Sequence, residues 1–211
     1  MKHFLALWKI VEIYHAINSL VIDGKSENLD RILSTRRKFI MVTFTLLNQR
    51  GQEFNLRETI ERYITDTNKA KSGYIAGKFV NNDIVDCMDR VARLLGEEGG
   101  AKAIHFELSF GPEELTDPEL AREIAEHITI FIGQEYQVCF AVHENTEQIH
   151  IHFVFNSLSY LDGYRYTGTT EENLRLADYV ASVLYYCADL KLDHVFRSVG
   201  SKYSIEEPYK K

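Results

Sequence analysis

The run His143-Glu-Asn-Thr-Glu-Gln-Ile-His150-Ile-His152-Phe-Val-Phe-Asn156 decides how this chain is read. From Gln148 onward it alternates like a strand. Ile149, Ile151, Phe153 and Phe155 face one side, and His150, His152, Val154 and Asn156 face the other, because side chains two apart share a face. His143 closes the apolar run 138–142, and Glu144-Asn145-Thr146 has the composition of a turn. A hairpin over 136–157 therefore brings His143 back toward the histidine pair. Three imidazoles so arranged make a metal site with open coordination positions, as catalytic sites have. By ligand preference such a set suits Zn, Mn, Fe, Ni or Cu better than Mg. Asn156 shares the histidine face, either to orient a ligand or substrate or simply to end the strand. Glu144 and Glu147 are acceptors for imidazole N–H or plain turn carboxylates.

Working outward, 211 residues with a hydrophobic fraction of 45% suffice for one domain with an extension. Three cysteines, Cys87, Cys139 and Cys187, show no CxxC spacing and fit a reducing compartment. The apolar first 22 residues are interrupted by Lys9, Glu12, His15 and Asn18. They read as an amphipathic helix rather than a signal peptide or membrane segment, so a cytoplasmic location is expected. The formal net charge of -7 argues mildly against nucleic-acid binding. Local basic positions remain at Arg36-Arg37-Lys38, at Lys69, Lys71 and Lys78, and at Arg165, each equally at home on a solvated face.

The spacing predicts helices over 3–21 and 27–34, a strand over 39–47 and a helix over 55–65. Further helices are expected at 81–95, 116–132 and 171–190. The second of these sets out from a capping box at Thr116-Asp-Pro-Glu119. Residues 103–110 alternate, with Ile104, Phe106, Leu108 and Phe110 toward the core and His105, Glu107 and Ser109 opposite. Asp162-Gly163 marks a turn into a short strand at 164–166. Hairpin-joined strands with intervening helices imply an α+β fold, a mainly antiparallel central sheet flanked by helices. The expected division is a helical extension at 1–38, the main domain at 39–198 and a polar tail at 199–211.

The stretch from Ala141 through Asn156 resembles the third motif of plasmid mobilisation relaxases, members of the HUH endonuclease superfamily. Its pattern there is H-x-[DN]-x-x-x-x-H-x-H-x-x-x-N. Two other segments resemble the family's preceding motifs, in the same order. Ile60-Glu-Arg-Tyr63-Ile-Thr-Asp66, followed by Lys69 and Lys71, is similar to the first, whose tyrosine is the nucleophile. Ile104-His-Phe-Glu-Leu-Ser109-Phe110 is similar to the second, whose serine contacts single-stranded DNA. Asn156 through Tyr166 and the helix through Leu176, Ala177 and Cys187 extend the resemblance to about residues 41–197.

The resemblance implies a two-layer sandwich and an endonuclease and strand transferase acting at a transfer origin. A divalent ion, Mg or Mn, is then held by His143, His150 and His152, with Asn156 beside them. Tyr63 attacks the scissile phosphate to leave a 5′-phosphotyrosine. Ser109, His105, Lys69, Lys71 and Arg165 become DNA contacts. Accessory mobilisation proteins and a secretion coupling protein are the implied partners. The competing readings are a replication initiator or transposase of the same superfamily, a metal hydrolase, and a DNA-binding accessory protein descended from a relaxase. The tyrosine precedes the histidines, an order that favours the relaxase.

Overall fold

The computed structural model describes residues 41–47, 59–81, 83–97, 99 and 102–195. The helices expected at 3–21 and 27–34 and the polar tail lie outside them. The described residues form an α+β sandwich. Its six-stranded sheet has the order β2-β4-β5-β3-β1-β6. The strands are β1 (Met41–Leu46), β2 (Ile75–Lys78), β3 (Ala103–Ser109), β4 (Val138–His143), β5 (His150–Asn156) and β6 (Lys191–Val195). All neighbours are antiparallel except β1 and β6, which run parallel with an irregularity between Val42 and Thr43.

Three helices accompany the sheet: α1 (Ile84–Leu95), α2 (Pro118–Ile132) and α3 (Thr170–Ala188). Each starts where a side chain accepts from the otherwise unpaired N–H groups of its first turn. Asp83 accepts from the Asp86 N–H at the head of α1. At α2 the cap is Asp117, which accepts from the Glu119 N–H, rather than the expected Thr116, and Pro118 follows it in the first turn. Thr169 and Glu172 form a full capping box on α3. Gly96, at φ 68°, ends α1 in the left-handed conformation that glycine adopts without strain.

The period-2 pattern sets the two faces of the sheet. Phe44, Phe106, Phe140, Phe153 and Phe155 are fully buried on the α2/α3 side. Phe106 stacks on Phe153 at 4.5 Å and on Phe44 at 4.9 Å. The opposite face carries a smaller core. There Ala103, Cys139, Ala141 and Val154 pack with Val85 and Met88 of α1, Ala70, and Ile60 and Ile64 of a π-helical turn at Ile60–Ile64. This second core covers only part of its face. It reaches the row of Ala141 and His152 and stops short of the row of His143 and His150.

Two strands escaped the sequence reading. The edge strand β2 is only Ile-Ala-Gly-Lys, with no alternation. Its glycine is required, because a Cβ on Gly77 would lie 2.4 Å from Val80 Cγ2 and 2.6 Å from the Val138 carbonyl oxygen. The other, β6, was hidden between the α3 pattern and the tail. The strand expected at 164–166 is reduced to a single bridge between Leu158 and Arg165. Helix 55–65 is represented in the described residues by the π-turn.

Candidate active site

The β3–β5 and β4–β5 registers build the site row by row. His143 lies opposite His150, which lies opposite Ser109, and Thr43 of β1 continues the row. In the next row Ala141, His152, Glu107 and Thr45 are aligned. Directly opposed residues point to one face, so the three histidines, Glu107 and Ser109 share a single surface. The hairpin does return His143 to the pair. Its ring centroid is 4.5 Å from that of His152, and His150 is 6.4 Å from His152.

Neighbouring groups hold the buried imidazoles in place. His143 Nε2 donates to the Ile64 carbonyl at 3.0 Å, which leaves Nδ1 as its lone-pair nitrogen. His152 Nδ1 lies 3.2 Å from His105 Nε2, and its Nε2 faces Glu107 Oε2 at 3.6 Å. The Ser109 hydroxyl donates to Glu107 Oε1. His150, half-buried, has Thr146 Oγ1 3.5 Å from its Nδ1.

Burial dominates the electrostatics of the cluster. It holds His105 down to about 4, and the neighbouring His143 adds to the effect. His152 is pushed well below the usual imidazole range by burial and then by His105, His143 and His150. His143 is lowered by burial, against the opposing hydrogen bond to Ile64 and with the help of Lys69. Neutral imidazoles are the protonation state that a metal ion needs. Among the described residues, no three His, Cys, Asp or Glu side chains stand close enough to hold an ion as they are arranged. The donor set still fits one by its chemistry: three imidazoles on one face, with His143 held through Nε2 on the Ile64 carbonyl and His152 through Nδ1 against His105.

The other expected site residues divide. Tyr63 lies on the backbone of the π-turn, next to Ile64, whose carbonyl caps His143. Lys69 ends a tight turn from Asp66, and its carbonyl accepts from the Glu144 N–H at 3.1 Å, which docks that turn at the histidine end of β4. Lys71 pairs with Glu144 at 2.5 Å, so this carboxylate serves a lysine rather than an imidazole.

Three other expected site residues have partners away from the open end of the cluster. His105 is buried, with its Nε2 against His152 Nδ1. Asn156 is buried four residues along β5 from His152, about 13 Å at strand rise. Its amide donates to the Met88 carbonyl and to Gln137 Oε1, and its Oδ1 accepts from the Leu158 N–H. Arg165 is tied to Ser157 and Glu97 at that same far end.

Sequence reasoning gave little weight to Glu107 and missed the β1 threonines. The alternation in Met41-Val-Thr-Phe-Thr-Leu46, with Val42 and Phe44 buried, was the available signal for the latter. Nothing in a side-chain pattern points to the Ile64 carbonyl.

No curated protein and no solved structure matches the chain. A family model does, over residues 63–183, a span that opens at Tyr63 and contains His143, His150 and His152. That family is described as relaxase, MobA/VirD2-like, nuclease domain. The match covers more than half of the chain, which therefore belongs to the MobA/VirD2-like relaxase nuclease-domain family.

Proposed function

We propose that this relaxase nicks single-stranded DNA at a transfer origin through Tyr63, with His143, His150 and His152 holding a divalent ion, Mg or Mn. The hydrogen bond from His143 to the Ile64 carbonyl carries the reading. It ties the turn that bears Tyr63 directly to the imidazole cluster, although 79 residues separate the two partners in sequence. The ion, when bound, polarises a non-bridging oxygen of the scissile phosphate and offsets the charge that builds there. In the nicking step the Tyr63 phenol loses its proton and its oxygen bonds to phosphorus. The P–O3′ bond breaks, and the leaving oxygen takes a proton to become a free 3′-OH. The 5′-phosphotyrosine keeps the phosphodiester energy for rejoining, so no nucleotide cofactor is needed. Ser109 and Lys69, at the open end of the cluster, serve as strand contacts. Lys71 joins them by exchanging Glu144 for phosphate.

We assign this activity to residues 39–198 and place it in the cytoplasm, with accessory mobilisation proteins and a secretion coupling protein as partners. No helix of the described residues is long and apolar enough to cross a membrane.

The test is a denaturing gel of the protein incubated with single-stranded origin DNA and Mn²⁺ or Mg²⁺. A covalent adduct that disappears in Tyr63→Phe is expected. Cleavage without an adduct, surviving in Tyr63→Phe, would replace the reading with a metal hydrolase. Binding without cleavage under either metal would replace it with a DNA-binding accessory protein.

A further inference from the structure

Phe79 is out of character for its position. It follows the end of β2 with φ at 59°, a left-handed conformation that suits glycine or asparagine and strains a bulky residue. The turn itself has a reason. Val80 folds back over Gly77 and packs against the second core. The phenyl ring has no such reason, because it is 56% exposed.

A buried amide network fixes the turn from below. Gln137 Nε2 donates to the Phe79 carbonyl at 2.9 Å and to the Cys87 carbonyl at 3.1 Å. Gln137 Oε1 in turn accepts from Asn156 at 3.0 Å. This network fixes the backbone that carries the exposed aromatic ring. Tyr160 flanks that ring at 5.0 Å and 57°, with its own hydroxyl anchored on the Gly133 carbonyl. Lys78 Nζ stands 5.5 Å from the Phe79 centroid.

We propose that Phe79, Tyr160 and Lys78 form a stacking subsite for one nucleobase of single-stranded DNA. Phe79 carries the base, Tyr160 backs the ring, and the Lys78 ammonium moves from the ring to the adjoining phosphate. Aromatic rings beside cationic groups are how proteins grip unpaired strands without reading their sequence. Lys78 pairs with Val138 at one end of β4 and His143 sits at the other, about 17 Å away at strand rise. A strand held at the histidines thus reaches the subsite a few nucleotides from the scissile phosphate. The inference rests on the nicking reading in taking the ligand to be single-stranded DNA.

Fluorescein-labelled (dT)20 and the full-length protein provide the test, read by anisotropy. Phe79→Asn keeps the left-handed turn and removes the ring. It is expected to weaken binding about tenfold or more, with thermal stability unchanged or raised. Phe79→Trp is expected to retain affinity. In a Trp8→Phe background its introduced indole is the protein's sole tryptophan, and its emission should be quenched on adding (dT)20. Lys78→Gln is expected to reduce the salt slope by about 0.7. Wild-type affinity in Phe79→Asn, with the Tyr63 adduct still formed, overturns the subsite alone and leaves the ring as a protein contact. Failure of the wild-type protein both to bind and to form the adduct removes the nicking reading, and the subsite's ligand with it.

Discussion

On β3, β4 and β5 one alternation produces two surfaces of opposite character. It sends Phe106, Phe140, Phe153 and Phe155 to one side, and His105, Glu107, Ser109, His143, His150 and His152 to the other. The phenylalanines are sealed, and their contribution is burial. The histidine face is sealed over its lower rows, by α1 and the π-turn, and opens at His150 and Ser109 of its last row. Where the second core stops, polar groups no longer need to be replaced by packing, and a site becomes affordable. The difference teaches that this sheet separates stability from chemistry by face and by row, and substitutions on the two sides should fail in different ways.

The largest expected effect is at the open row. His150→Ala removes a proposed ligand whose ring is half-buried. Loss of the ion removes several kcal/mol of transition-state stabilisation, more than a hundredfold in nicking rate. Folding stability should change by about 1 kcal/mol or less. Full nicking activity in that variant would remove the histidine face from the mechanism. Phe153→Ala should do the reverse. Phe153 stacks on Phe106 and touches Phe140 at 6.1 Å, so its loss should cost about 3–5 kcal/mol in denaturant unfolding. At temperatures where the variant stays folded, metal affinity should persist. If instead Phe153→Ala lost metal while stable, the two faces would not be separable.

Acid should act mainly on the histidine face, because the phenylalanine side chains themselves carry no titratable group. The folded-state His105 lies at about 4 against an ordinary 6.5, mainly through burial. His143 and His152 are lowered as well. Between those limits the unfolded chain binds protons that the folded chain refuses, so stability falls as pH drops from 6.5 toward 4 and is flat above. One group contributes at most about 1.4 kcal/mol per pH unit. Urea melts of metal-free protein at pH 7.5, 6 and 5 would measure the slope. A stability independent of pH over that range would contradict neutral, buried imidazoles.

This separation was half legible in the sequence. Alternation alone assigned every residue of β3 and β5 to its correct face, because a period of two leaves only two choices. It could not say how far along the face the chemistry extends. Asn156 shares the side of His152 yet lies two rows beyond His152, within the second core, where its amide joins Gln137 to Met88. For the same reason the resemblance did not show that Arg165 lies beside Ser157 and Glu97, since a basic residue in a resembling stretch carries no position. The strands β2 and β6 were invisible because short strands draw their stability from neighbours rather than from pattern. The cap on His143 comes from a backbone carbonyl, which every residue has and no sequence pattern distinguishes.

His105 offers the finest division between the faces, for it lies on the chemical side but is as buried as the phenylalanines. If His152 presents Nε2 to an ion, its Nδ1 carries the proton and donates to His105 Nε2, which must then be unprotonated; His105 keeps its own proton on Nδ1. Its depressed proton affinity keeps that acceptor available at neutral pH. His105→Ala should lower Mn²⁺ affinity about 10- to 100-fold, read by calorimetry. His105→Gln, whose side-chain oxygen also accepts from Nδ1–H, should recover part of it. A purely packing role predicts the opposite pattern, with both variants losing stability and neither changing metal affinity. Equal affinity in wild type and His105→Ala would move His105 from the site to the core, and the boundary between the two would then run one row higher on β3.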